Sequence, residues 1–161
     1  MEHIKGPTLL EYFERSENFS ESDAARIMHK ILLAVEHLHS TGIIHRDLKL
    51  ENFIMEDCGN GTYEVKLIDF GYAKRFKFKN NHPMLTRIQS CVGTPDYVAP
   101  DVMTKNYDKS VDVWSFGIVL YFLMSGEFPF HGDDELSLLH NIMNREVEFN
   151  ADIWHHRSES A

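Results

Sequence analysis

The densest set of chemically active side chains in the chain lies at residues 45–52, which read His-Arg-Asp-Leu-Lys-Leu-Glu-Asn. Within six positions this segment carries a carboxylate, an ammonium and a carboxamide, at Asp47, Lys49 and Asn52. A lone Asp or Lys is most often a solvated surface residue, but three unlike polar groups at this density indicate a site. Another carboxylate follows at Asp69, in an Asp-Phe-Gly turn where glycine relieves the backbone.

These segments resemble the protein kinase signature, in which His-Arg-Asp-Leu-x-x-x-Asn is followed by Asp-Phe-Gly and then by Ala-Pro-Glu, here Ala-Pro-Asp at 99–101. Residues 93–100 and 112–117 resemble two further stretches of the same family. Because the order and spacing of all five matches agree, coincidence is a remote explanation. The chain is therefore similar to the eukaryotic-type Ser/Thr protein kinases, and most like the calcium/calmodulin-regulated and calcium-dependent ones.

The resemblance implies catalytic roles for single residues. Phosphoryl transfer needs a group that orients the attacking hydroxyl and positive charge near the phosphoryl group. By position in the motif, Asp47 matches the catalytic base, Lys49 the cation that stabilises the phosphoryl group, and Thr94 the threonine that binds back to the base. Lys49 and Thr94 together are typical of Ser/Thr kinases rather than tyrosine kinases.

The resemblance also implies ATP and Mg²⁺ as cofactors. Asn52 and Asp69 match the metal ligands, and their oxygen atoms are of the kind that Mg²⁺ prefers. Ile54 matches the floor under the adenine. The residues predicted to contact the nucleotide or its metal are Glu2, Ile4, Glu51, Asn52, Ile54 and Asp69.

A regulatory site is implied by Arg46, which in kinases of this type forms half of a basic pocket for a phosphorylated loop. Lys74 matches a second cation of that pocket, and Ser90 matches the phosphoacceptor, with Thr86 as a weaker candidate. A phosphate at Ser90 would gain charge-assisted hydrogen bonds and order the loop. The alternative, a solvated serine in a loop, stays open.

Composition excludes several classes of protein. A net charge of −9 argues against a general binder of nucleic acid or of anionic membranes. The longest apolar run, 116–124, is far shorter than the roughly 20 residues of a membrane span. Cys58 and Cys91 form no disulfide framework, which indicates reduced thiols. We expect an intracellular protein, in the cytoplasm or the nucleus, with protein substrates and an upstream activating kinase as partners, and neither nucleic acid nor membrane.

The elements that must position these residues follow from apolar spacing. Helices are predicted from Thr8 to Arg15, from the capping residues 20–23 to Gly42, and over 110–125, where nearly every residue is apolar or small and a helix buried on all sides is expected. The inward face of the second helix is predicted to consist of Ile27, Met28, Ile31, Leu32, Val35 and Leu38.

The remaining elements are predicted to be short. Residues 43–70 favour short strands with a hairpin turn at 60–61, and 72–98 read as one long irregular, functional loop. Asp133 and Asp134 are predicted to cap a last helix, and the tail from Phe149 is polar and weakly patterned. The inward residues predicted for that helix are Leu136, Leu139, Ile142 and Met143.

We therefore expect an α+β fold, mainly α, like the large lobe of a protein kinase with short β-hairpins at the catalytic loop. We expect residues 1–161 to be a partial kinase domain truncated at both ends, from the hinge at 1–4 through the last capped helix. Without the small lobe and the terminal helices, apolar faces would be exposed and stability would be marginal. Two functions stay open: an ATP-dependent Ser/Thr kinase, or a truncated non-catalytic fragment or interaction module that uses the surface around 133–139.

Overall fold

The structure is a computed structural model that describes residues 3–59, 61–76, 78–79, 82–83, 88–155 and 157–158, with the backbone alone at 78–79 and 82–83. The predictions for Glu2, Thr86 and Asn60 lie outside the described residues. The fold is mostly helical with small antiparallel sheets. Its elements are α1 (Leu9–Arg15), α2 (Glu21–Ser40), β1 (Ile43–Ile44), a 3₁₀ helix (Leu50–Asn52), β2 (Phe53–Gly59), β3 (Thr62–Leu67), β4 (Lys74–Arg75), β5 (Phe78–Lys79), β6 (His82–Pro83), a second 3₁₀ helix (Pro95–Tyr97), α3 (Pro100–Met103), α4 (Ser110–Ser125), α5 (Glu135–Asn144) and α6 (Ala151–Trp154).

Side-chain caps begin the helices close to the predicted positions. The Ser20 hydroxyl accepts the amide of Asp23 while the Asp23 carboxylate accepts the amide of Ser20, so two otherwise free amides are satisfied at the start of α2. Thr8 caps α1 through the same reciprocal pattern with Glu11. The predicted inward face of α2 is confirmed except at Leu32, which is 50% exposed.

The strands form three two-stranded antiparallel sheets within the described residues. The β2–β3 hairpin pairs Phe53 with Leu67, and β1 pairs with β4 through Ile44 and Lys74. The expectation of a wholly irregular 72–98 segment is therefore wrong, because β4, β5, β6 and a 3₁₀ helix lie within it. These strands have two residues each, which is too short for an alternation pattern to show in the sequence.

Helix α4 packs one side against the core and exposes the other. Val119 and Leu123 are 0% and 2% exposed, whereas Val113 and Leu120 are 58% and 37% exposed. The prediction of a helix without a wet face is thus wrong. The helix ends at Gly126, whose φ of 80° is the left-handed conformation that favours glycine.

The last two helices also differ from expectation. On α5 the buried residues are Leu138 and Ile142, while Leu136 and Met143 are exposed, so the predicted inward face is half wrong. Asp134 alone caps this helix. The tail contains α6, and together with α2 and α4 it surrounds an apolar groove of about 600 Å³. Across the described part of the chain, we find no helix with the length and hydrophobicity needed to cross a membrane.

Candidate active site

A single buried carboxylate at the start of α4 holds the backbone of the 45–52 loop. Asp112 is 0% exposed, and its two oxygens accept the amides of His45 and Arg46 at 2.9 and 2.8 Å. Arg46 has a φ of 71°, which is uncommon for a residue other than glycine. The two hydrogen bonds satisfy amides that the loop leaves without a strand or helix partner and hold the loop in this conformation.

A histidine that the sequence analysis did not single out joins the same carboxylate. His39, in the last turn of α2, places Nε2 2.8 Å from Oδ2 of Asp112. The signal that could have found it is helical spacing, because His39 lies four residues after the buried Val35 and therefore faces inward.

Asp47 is the centre of the site. Its side chain is almost fully buried, and its Oδ1 accepts the Thr94 hydroxyl at 2.9 Å. The Lys49 ammonium lies 3.2 Å from Oδ2 of Asp47 and donates to the Thr94 hydroxyl at 2.9 Å. The three residues predicted to be catalytic are thus in mutual contact, although Thr94 is distant from the other two in sequence.

Asn52 and Asp69 are brought together by the β2–β3 hairpin. The Asn52 amide group donates to the backbone carbonyl of Asp47 at 2.8 Å and to Oδ2 of that residue at 3.2 Å. The amide of Ile68 donates to the backbone carbonyl of Asn52 at 2.9 Å, so Asp69 leaves the hairpin directly beside Asn52.

The conformation of Asp69 leaves its carboxylate accessible. Its φ is 59°, and its Oδ1 accepts the amide of Gly71 at 3.0 Å. Among the described contacts, none occupies Oδ2 of Asp69 or the side-chain oxygen of Asn52. This pair therefore presents free, hard oxygen atoms of the kind that fit Mg²⁺.

His45 is a buried neutral ring under the turn that carries Asp69. Burial lowers its pKa, against the opposing effect of Asp112. Its Nε2 donates to the carbonyl of Ile68 at 3.2 Å, and the ring of Phe70 packs on it edge-on at 5.0 Å between centroids. The aromatic contact couples the 45–52 loop to the turn after β3.

Of the residues predicted to contact a nucleotide, Ile54 lies in β2 and Glu51 in the 3₁₀ helix before it. The Met55 amide donates to the Pro7 carbonyl at 2.9 Å, and Thr8 forms a bridge with Ile54, so residues 7–8, which follow Ile4 closely in sequence, lie beside β2. Glu51 is exposed and accepts the Tyr97 hydroxyl at 3.4 Å. Burial raises the pKa of Tyr97, which keeps this hydroxyl a donor.

Arg46 reaches away from the site to the predicted phosphoacceptor. Its Nη1 donates to the Ser90 hydroxyl at 2.7 Å, and its Nε donates to the carbonyl of Tyr72 at 2.6 Å. Tyr107, which the sequence analysis did not single out, lies within 3.2 Å of the same Nη1. Lys74 is exposed on β4, and no described hydrogen bond joins it to Ser90.

The protein kinase domain family matches the sequence over residues 1–161. This chain belongs to the protein kinase domain family. The chain is 35% identical over its 161 residues to the Arabidopsis thaliana serine/threonine-protein kinase PEPKR2, of which it covers 32%. It is also 38% identical to myosin light chain kinase A of Dictyostelium discoideum, with 96% of the chain and 50% of that protein covered.

A third relative agrees with the resemblance derived from the sequence. The chain is 36% identical to calcium-dependent protein kinase 25 of Arabidopsis thaliana, and the match covers 100% of the chain and 30% of that protein. The predicted similarity to Ser/Thr kinases, including calcium-dependent ones, is thereby confirmed. The chain spans about a third to a half of the length of these relatives. The assignment of residues 1–161 to a partial, large-lobe domain stays a prediction.

Proposed function

We propose that this chain carries the catalytic loop and metal ligands of an ATP-dependent Ser/Thr protein kinase, in a fold of the large-lobe type. The observation that supports this most strongly is the buried Asp47 carboxylate, which is hydrogen-bonded by Thr94 and Asn52 and lies beside Lys49. Buried carboxylates are rare unless they are paired. This one contacts two residues of its own 45–52 loop and Thr94, which is more than 40 residues away in sequence.

In the proposed reaction Asp47 acts as the base. The oxygen of a substrate Ser or Thr hydroxyl forms the new bond to the γ-phosphorus as the bond to ADP breaks, and the hydroxyl proton passes to Asp47. Because Thr94 and Asn52 each hold one carboxylate oxygen, the direction of the free lone pairs on Asp47 is set before substrate binds. Lys49 places a positive charge beside the base, where it stabilises the negative charge of the moving phosphoryl group.

We propose Asn52 and Asp69 as the Mg²⁺ ligands. Bound Mg²⁺ neutralises charge on the phosphates of the nucleotide. The nucleotide itself is proposed to lie over Ile54, with Ile4, Glu51 and the more N-terminal Glu2 beside it. The contacts of residues 7–8 with β2 support this, because they place a second chain segment beside Ile54.

The test is transfer of labelled phosphate from ATP and Mg²⁺ to Ser- and Thr-containing peptides. It uses the 161-residue chain and, in parallel, the longest polypeptide that its gene encodes. In the longer polypeptide, Asp47→Asn should lower the rate by about 10²- to 10⁴-fold, because a positioned base contributes that much. The matched control Asp152→Asn, at an exposed aspartate, should leave the rate unchanged. Phosphate transfer by the longer polypeptide at the same measurable rate in wild type and Asp47→Asn would refute the assigned role.

A second candidate function is a non-catalytic interaction module. The observation that favours it is α5, where Leu136 and Met143 are 79% and 52% exposed on a well-capped helix. If neither polypeptide transfers phosphate and Leu136→Asp abolishes binding to a kinase substrate that the wild type retains, the module is the better account. We expect the 161-residue chain by itself to be inactive.

We also propose that phosphorylation of Ser90 by an upstream kinase regulates the activity. Support comes from the Arg46 guanidinium, already 2.7 Å from the Ser90 hydroxyl and one residue before the base. Lys74 is proposed as a second cation for the phosphate. Protein substrates, a cytoplasmic or nuclear location, and the absence of nucleic-acid and membrane partners are part of the same proposal.

Substitution of the acceptor tests this regulation. Ser90→Ala should lower the activity of the longer polypeptide severalfold, because the phosphate can no longer form. The matched control is Gln89→Ala, at the exposed neighbouring residue, which should leave the activity unchanged. Unchanged activity in Ser90→Ala would contradict the regulatory role.

A further inference from the structure

The hydroxyl of Tyr107 contacts both the predicted phosphoacceptor and the arginine beside the proposed base. Tyr107 is 3% exposed, and its hydroxyl donates to the backbone carbonyl of Ser90 at 2.6 Å. The same oxygen accepts Nη1 of Arg46 at 3.2 Å and lies 3.5 Å from the Ser90 hydroxyl. One buried group therefore contacts both residues of the regulatory pair.

The backbone of Tyr107 anchors the same segment. The amide of Ile88 donates to the carbonyl of Tyr107 at 2.9 Å in an antiparallel bridge, and Ile88 is 1% exposed. Residues 88–90 are thus attached to Tyr107 through the backbone at one end and through the hydroxyl at the other. Neither attachment involves the side chain of Ser90, and neither needs a phosphate.

We infer that Tyr107 is a positioning residue that docks residues 88–90 against Arg46 whether or not Ser90 is phosphorylated. A phosphate on Ser90 then strengthens the contact with Arg46 without creating the docked arrangement. The second statement rests on the proposed regulatory role of Ser90, whereas the docking itself does not.

Amide hydrogen exchange of the 161-residue chain tests the docking. Tyr107→Phe removes only the hydroxyl, and exchange at Ile88 should become roughly five- to tenfold faster, as expected for the loss of one buried hydrogen bond. The matched control is Tyr121→Phe, which removes a hydroxyl that donates to the carbonyl of Glu148 at 2.8 Å, far from this site in sequence. It should change exchange at Ile88 less than twofold.

Two further readouts separate docking from a general loss of stability. Exchange at Val119, in the buried centre of α4, serves as the reference, and the increase in Tyr107→Phe should be larger at Ile88 than at Val119. Ser90→Ala keeps the carbonyl that Tyr107 binds, so exchange at Ile88 should stay within twofold of wild type. An unchanged Ile88 in Tyr107→Phe, an increase no larger than at Val119, or an increase in Ser90→Ala, would each overturn the docking role.

Phosphoserine incorporated at position 90 tests the second statement. The second pKa of a free phosphoserine is about 6, and the guanidinium of Arg46 should lower it in the docked chain. A ³¹P NMR titration measures this pKa. Arg46→Gln should restore the free value, Tyr107→Phe should move the pKa part of the way back, and Tyr121→Phe should leave it unchanged. No effect of Tyr107→Phe would overturn the coupling. Neither experiment measures phosphate transfer, so both outcomes are independent of whether the chain is an active kinase.

Discussion

Two neighbouring residues in the first turn of α4 show the opposite of the usual burial: the polar side chain is buried and the apolar one is exposed. Asp112 is 0% exposed, and Val113 is 58% exposed. The carboxylate is buried because two loop amides and His39 supply hydrogen bonds that replace water. The valine is exposed because it lines the open apolar groove beside the tail. Burial in this domain is decided by the available partners as much as by the polarity of each residue.

The substitution Asp112→Ala removes the hydrogen bonds at the polar start of α4. Loss of the carboxylate leaves the amides of His45 and Arg46 buried without an acceptor, so the free energy of unfolding should fall by about 4 kcal/mol. Urea unfolding followed by tryptophan fluorescence measures this. Asp133→Ala, at an exposed aspartate, is the control and should stay within about 0.5 kcal/mol of wild type. A loss for Asp112→Ala as small as that of the control would remove the central role of this carboxylate.

The apolar side of the same helix can be compared at two leucines. Leu123 is 2% exposed and Leu120 is 37% exposed. Leu123→Ala should lower the free energy of unfolding by about 3 kcal/mol, because it leaves a cavity in a packed core. Leu120→Ala removes the same atoms from a partly solvated face and should cost less than about 1 kcal/mol. Equal losses in the same urea experiment would mean that the groove side of α4 is covered in solution.

The smallest expected effect concerns the buried His45. Burial lowers its pKa in the folded chain, while an unfolded histidine has a pKa near 6.5. Below that pH the unfolded chain binds more protons, so the free energy of unfolding should fall as the pH decreases from 7 to 5. In His45→Gln this slope should be shallower by up to about 1.4 kcal/mol per pH unit. Urea unfolding curves at several pH values measure this slope. Equal slopes for wild type and His45→Gln would contradict the lowered pKa of His45.

Capping residues and motif positions were readable from the sequence. Ser20 and Thr8 begin their helices where predicted, since a side chain that accepts a nearby amide acts within three residues. The mutual contact of Asp47 and Thr94 followed only from the resemblance, because no local rule connects residues so far apart. Spacing also failed on α5, where Leu136 was expected to face inward and is 79% exposed.

The sequence by itself determined the family, the set of polar groups at 45–52 and Asp69, and the approximate bounds of the long helices. These depend on residue identity and on local hydrogen bonding. Only the tertiary structure decided which side of α4 meets water, because a helix that is apolar all round carries no periodic signal. It also decided that His39 supports Asp112 and that Tyr107 joins Ser90 to Arg46, since those contacts exist only once distant segments have packed together.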